Sequence, residues 1–144
     1  MSRNRILIWY LLCALLLPAI SLAATSSSIV PAQLLEILND KSAQKPLIID
    51  VRAKSDYEKG HIPGAVWVAE TARMDSPDIG QRVKSLLADH VAQGGKNEIV
   101  VYCFSGYSSV VAVEMLSKLG MQVVNLRYGF NGWSGLADAP VVTD

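Results

Sequence analysis

Short unbroken apolar runs alternate along this chain with longer stretches in which apolar residues recur every three or four positions. "PLIIDV" (residues 46–51), "AVWVA" (65–69), "EIVVYC" (98–103) and "MQVVNL" (121–126) are of the first kind. Runs of this length without polar alternation predict strands covered on both faces, the environment of a parallel sheet. "VPAQLLEILND" (30–40) is of the second kind, with Pro31 at its start and Leu34, Leu35, Ile37 and Leu38 on one side. "DSPDIGQRVKSLLADHVAQGG" (75–95) opens on Ser76 and Pro77, runs through Val83, Leu86, Leu87 and Val91, and stops at Gly94 and Gly95. "SSVVAVEMLSKLG" (108–120) groups Ala112, Met115, Leu116 and Leu119 before Gly120. These three predict helices. Residues 52–64 are polar and turn-rich, and "GFNGW" (129–133) predicts a turn leading into a short helix or coil. Strands alternating with helices predict one α/β domain, with helices on both faces of a mainly parallel sheet.

The first two dozen residues have a different pattern. "MSRNR" is a positive start, "ILIWYLLCALLLPAI" an apolar run, and "SLAA" supplies small residues at a cleavable spacing. This predicts a secretory signal peptide over residues 1–23, cut after Ala23 or Ala24, followed by a polar leader (24–28) and a domain over 29–144. The alternative is an uncleaved membrane anchor over residues 6–24, although the run is short of the ~20 apolar residues of a spanning helix. Leu12 before Cys13 argues against a lipid-attachment cysteine. An exported, periplasmic protein without stable membrane insertion is the expectation.

Composition changes that picture little. The 144 residues are 51% hydrophobic, enough for one domain with a core. Thirteen basic residues balance thirteen acidic ones with no basic tract, so no electrostatic footprint for nucleic acid is present. Loss of residues 1–23 removes Arg3 and Arg5 and no acid, leaving 11 basic residues against 13 acidic ones. It also removes Cys13, so Cys103 becomes the sole cysteine in an oxidising compartment, where no internal disulfide can form.

Cys103 stands at the carboxyl end of a predicted strand, where chemistry collects in parallel sheets. A cysteine there can be inert core packing, since free cysteine is among the most buried residue types. The following residues favour a reactive thiol. "FSGYS" (104–108) is a short loop with Gly106 for a tight curl, and a helix follows at once. Successive N–H groups of such a loop turn inward and the helix adds its positive dipole end, so an anion, here a thiolate, is stabilised. Ser105, Ser108 and Ser109 add hydroxyl donors or cap the helix.

Two separated stretches carry a family resemblance. "DVRAKSDYEKGHIPGA" (50–65) closely resembles the upstream signature of rhodanese-like domains, and "CFSGYSS" (103–109) is similar to their active-site loop. "YGFNGW" (128–133) is similar to their Gly-Gly…Trp element, and the likeness covers residues 29–137. The resemblance implies a five-stranded, mainly parallel sheet flanked by helices on both faces, and a sulfurtransferase cycle without metal or organic cofactor. On this chain it implies that Cys103 takes sulfane sulfur from a small anionic donor such as thiosulfate. The persulfide is held by the loop Phe104, Ser105, Gly106, Tyr107, Ser108 and Ser109, and its outer sulfur passes to cyanide, a thiol or a protein acceptor. Asp50 and Arg52 are implied to be an internal pair, and His61 a structural turn residue.

This sequence departs from the family pattern in two ways. The loop has Tyr107 and Ser108 where many catalytic members carry arginine, and so holds no fixed cation. Tyr128 replaces the first glycine of the usual pair, which places its ring near the pocket. Arg127, after the "VVNL" strand, is either a substitute cation or an ordinary exposed arginine; Arg73 is a weaker candidate. Trp133 is expected to pack the C-terminal segment, Trp67 to line the core or pocket, and His90 to be a solvated surface residue. Ser109 stands where a cysteine phosphatase needs arginine, and no second cysteine forms a Cys-x-x-Cys pair. The rival from another class is a sulfur-carrier or binding module with little turnover of its own.

Overall fold

The computed structural model describes residues 27–143; the expected signal segment, Cys13 and most of the polar leader lie outside the described residues. The four apolar runs form β2 (Leu47–Asp50), β3 (Ala65–Trp67), β4 (Ile99–Tyr102) and β5 (Val123–Leu126). Together with β1 (Ser28–Ile29) they make a five-stranded, all-parallel sheet in the order β1-β5-β4-β2-β3. Among the described residues the helices are α1 (Pro31–Asn39), α2 (Lys54–Lys59), α3 (Pro77–Ala92), α4 (Ser109–Lys118) and α5 (Gly129–Ser134), with a 3₁₀ turn at Thr71–Arg73.

Every residue of β2, β4 and β5 is buried, because successive side chains enter opposite cores. Leu47, Ile49, Ile99, Val101 and Val123 face Val83 and Leu87 of α3 and Ala112 and Leu116 of α4. Ile48, Val100, Tyr102, Val124 and Leu126 face Leu34 of α1 and Trp133 of α5. The absence of polar alternation in the strand sequences is the direct result of these two apolar layers.

Several details differ from the sequence-based expectation. β1 begins at Ser28, the last residue of the polar leader, and is a strand only because it pairs with Asn125 and Leu126. α2 falls in the stretch read as turns. Its one large apolar residue, Tyr57, packs into the α1/α5 core and donates its hydroxyl to the Ala65 carbonyl at 3.0 Å. Val91 and Leu119 are exposed, and Ile79 and Val113 complete the buried stripes of α3 and α4. His90 is half-buried rather than solvated, with Nε2 2.8 Å from the Lys45 carbonyl oxygen. As expected, Trp133 is buried, donating Nε1–H to the Pro140 carbonyl at 2.9 Å and so tying down the C-terminal segment.

β4 lies between β2 and β5. The segments that follow these three strands, residues 51–53, 103–108 and 127–128, therefore meet at one edge of the sheet.

Candidate active site

Between the end of β4 and the start of α4 the chain turns within six residues. Gly106 has φ +82°, and a Cβ there would stand 2.7 Å from the Leu126 carbonyl oxygen and 2.9 Å from the Tyr128 nitrogen. Only glycine satisfies both the left-handed backbone and the close approach of the β5–α5 connection. The curl brings the Gly106 N–H to 3.2 Å and the Ser109 N–H to 3.4 Å from Cys103 Sγ. Ser109 is the first residue of α4, and the N-cap Ser108 makes no side-chain capping bond. Sulfur thus takes one of the N–H groups that a helix start leaves unpartnered, at the positive end of the dipole.

The thiol is buried, only 4% exposed. Burial by itself pushes its pKa up. Hydrogen bonds from the Ser108 hydroxyl and from the Ser109 and Gly106 N–H groups outweigh that, and the pKa is lowered to about 7. Near neutral pH a large fraction of Cys103 is therefore thiolate.

The loop's carbonyls are tied on the opposite side. The Cys103 carbonyl accepts from the Phe130 N–H at 2.8 Å, and the Phe104 carbonyl from the Asn131 N–H at 2.9 Å. Gly129 permits this contact, since a Cβ there would lie 2.3 Å from the Cys103 oxygen. The Gly106 carbonyl accepts from Asn125 Nδ2 at 2.9 Å, and Asn125 Oδ1 accepts from the Ser109 hydroxyl at 2.7 Å. Asn125 was not singled out by sequence reasoning. The signal that could have found it is a lone amide within the otherwise apolar strand "VVNL".

Of the remaining expected site residues, Gly106 and Ser109 are buried with Cys103, while Phe104, Ser105, Tyr107 and Ser108 are exposed around it. Arg127 is exposed; its backbone touches the Gly106 position and its guanidinium lies over the Tyr128 ring, 5.5 Å from the centroid. Tyr128 adopts a left-handed backbone, φ 65°, and its Cβ lies against Gly132 of α5, so its side chain starts out over its own helix. Arg73 is exposed in the 3₁₀ turn that follows β3 and packs against α4, and its charge is felt by Asp78.

Asp50 and Arg52 are an internal pair, as the resemblance implied. The Asp50 carboxylate accepts from Arg52 Nη2 at 2.6 Å, from Nε at 3.0 Å and from its backbone N–H at 2.9 Å. Arg52 Nη2 also donates to the Gly60 carbonyl at 2.7 Å. Its guanidinium carbon lies 4.0 Å from the Phe130 ring centroid and 5.1 Å from that of Phe104. Burial works to lower the Arg52 pKa, but the bonds and charge of Asp50 win and the net shift is upward. This cation is committed to fixing the end of β2 and supporting the aromatic residue after Cys103. His61 is likewise structural, buried and stacked on Tyr57 at 3.9 Å between ring centroids.

The sequence matches the family described as Rhodanese-like domain over residues 30–136. It is 29% identical over 116 residues to the protein named "Putative sulfur carrier protein YrkF" of Bacillus subtilis, covering 78% of this chain and 56% of that one. It is 33% identical over 88 residues to a tRNA sulfurtransferase of Pyrobaculum aerophilum, covering 61% of this chain and 16% of that one. The chain thus spans just over half of the first relative and about a sixth of the second. A rhodanese-like domain protein from Staphylococcus aureus has the same fold, with a TM-score of 0.60 at 22% identity over 82% of this chain and 98% of that one.

Proposed function

Because this chain belongs to the rhodanese-like domain family, we propose that it is a sulfurtransferase in which Cys103 carries the transferred sulfur as a persulfide. The observation that carries this reading is a buried thiol accepting two main-chain N–H groups, with its pKa lowered to about 7. The Cys103 thiolate attacks the outer sulfur of thiosulfate or a similar small anionic donor. A sulfur–sulfur bond forms, that of the donor breaks, and sulfite leaves with the electron pair. The persulfide anion keeps one negative charge. Cyanide or an acceptor thiolate, small or on a protein, then attacks the outer sulfur and restores the Cys103 thiolate.

Among the described residues, no protein group accepts from the N–H groups of Phe104, Ser105, Tyr107 and Ser108. These are the donors for the outer sulfur, set in place before charge arrives there. Arg127 supplies a nearby exposed charge that attracts the donor. The positive, then apolar, then small-residue order of residues 1–24 supports export, with the reaction taking place outside the cytoplasm.

A second reading is favoured by one feature of the loop. Its own residues include no cation, and Arg52 is spent on Asp50. A domain so built holds sulfur for a partner and turns over slowly with a free dianion. Incubation with thiosulfate followed by intact mass tests both readings. One sulfur atom is added in the wild type and none in Cys103→Ser; thiocyanate formation with cyanide then identifies the enzyme, and adduct without turnover the carrier. In the enzyme, Arg127→Ala raises the thiosulfate KM about threefold at low salt and leaves kcat unchanged. A wild-type protein that gains no sulfur refutes both.

A further inference from the structure

The main chain of α5 holds two of the loop's carbonyls, but the third is held by a side chain from a different strand. Asn125 sits on β5, in register with Val101 of β4. A carbonyl can only accept, so the Asn125 atom 2.9 Å from the Gly106 oxygen is the amide nitrogen. That orientation leaves Oδ1 to accept from the Ser109 hydroxyl at 2.7 Å. Both side chains are buried, with Asn125 6% exposed and Ser109 not at all, so water does not substitute for either bond.

One amide therefore grips both residues whose N–H groups reach the sulfur. It also sets a peptide plane. In a trans peptide the C=O and N–H point in opposite directions. Holding the Gly106 carbonyl toward β5 turns the Tyr107 N–H away from β5. The ties on the Cys103 and Phe104 carbonyls turn the N–H groups of Phe104 and Ser105 away from α5 in the same manner.

We propose that Asn125 is a positioning residue for the sulfur-carrying cysteine: by bridging the Gly106 carbonyl and the Ser109 hydroxyl, its amide keeps the cradle's N–H groups aimed at Cys103 Sγ. The inference rests on the sulfur-transfer reading of Cys103, but its test reads the thiol alone and needs no donor. If wild-type Cys103 takes up no sulfur, that reading fails while the result below still stands or falls by itself.

The test is the rate of iodoacetamide alkylation at Cys103 against pH in the full chain, followed by peptide mass so that Cys13 does not interfere. Asn125→Leu keeps the same number of side-chain heavy atoms and the same branch point and removes both bonds. Its alkylation midpoint is expected to rise by about one pH unit, the order expected when hydrogen bonds to a charged form are weakened. Asn125→Thr suits a strand and supplies one hydroxyl in place of the amide, and its midpoint returns part of the way. Ser109→Ala raises the midpoint in the wild-type background but adds little in Asn125→Leu, because the two act as one unit. A purely structural amide would lower the melting temperature and leave the midpoint in place. A folded Asn125→Leu with a wild-type midpoint overturns the proposal. If Asn125→Leu does not fold, Ser109→Ala with the same midpoint as Ser109→Thr overturns it.

Discussion

Burial ordinarily silences a thiol, since removal from water penalises the charged form. At Cys103 the penalty is outweighed because the groups that replace water are N–H and O–H donors aimed at sulfur. The same accounting applies with opposite charge at Arg52, which tolerates burial only because Asp50 supplies several short bonds. Asp50→Asn leaves that guanidinium without its countercharge, and removing one member of a buried pair costs about 3–5 kcal/mol. Urea titration checks this: Asp50→Asn is expected to lose that much stability, and the double change Asp50→Leu with Arg52→Leu to lose less. Equal losses in the two would show that packing, not an orphaned charge, sets the cost. "DVR" was legible as a structural pair through its family resemblance, whereas Arg127 was placed only at a strand end. Where its guanidinium lies depends on Tyr128, a neighbour whose left-handed backbone no sequence pattern announces.

The decisive element is the connection from β4 to α4, whose shape depends on Gly106. Gly106→Ala puts a non-glycine residue at φ +82°, which costs about 1–2 kcal/mol. Its Cβ would also meet the Leu126 carbonyl oxygen at 2.7 Å, and that backbone is held in the sheet. The loop must open, so the variant is expected to melt lower and to shift its alkylation midpoint upward, toward the ordinary thiol value of 9.0. A midpoint still near 7 would mean that Gly106 serves the fold but not the thiol. The strand–loop–helix order around Cys103 was legible because a buried strand, a glycine and a helix each leave their own mark. β1 was not, since two residues carry no period and become a strand only through β5. Nor was α2, whose six residues "KSDYEK" contain one large apolar side chain. It rests on Tyr57 and the exposed pairs Lys54–Glu58 and Asp56–Lys59. Asn125 escaped notice because its partners, Gly106 and Ser109, are distant in sequence and meet it only across the sheet.

Across the whole molecule, holding a thiolate in the folded state links stability to pH. The folded pKa of Cys103, about 7, lies below the ordinary value of 9.0 that applies in the unfolded chain. A depressed pKa contributes stability that is fully present above the unfolded value and is lost as pH falls through the folded one. The window therefore runs from about pH 9 down to about pH 7, and the contribution is on the order of 2–3 kcal/mol. Asp40, Asp78 and Glu114 are also lowered, by hydrogen bonds from Ser42, Ser76 and Lys118, but they lose their effect only in the acid range. The two windows do not overlap, so they can be separated in one experiment. Stability measured from pH 6 to 9 is expected to rise more in the wild type than in Cys103→Ala, with the difference between the curves growing through pH 7 and levelling near 9. Other titrating groups cancel in that difference. Parallel curves would mean that the thiol enters the fold protonated, and the sheet edge would then be packing a neutral sulfur instead of holding a nucleophile.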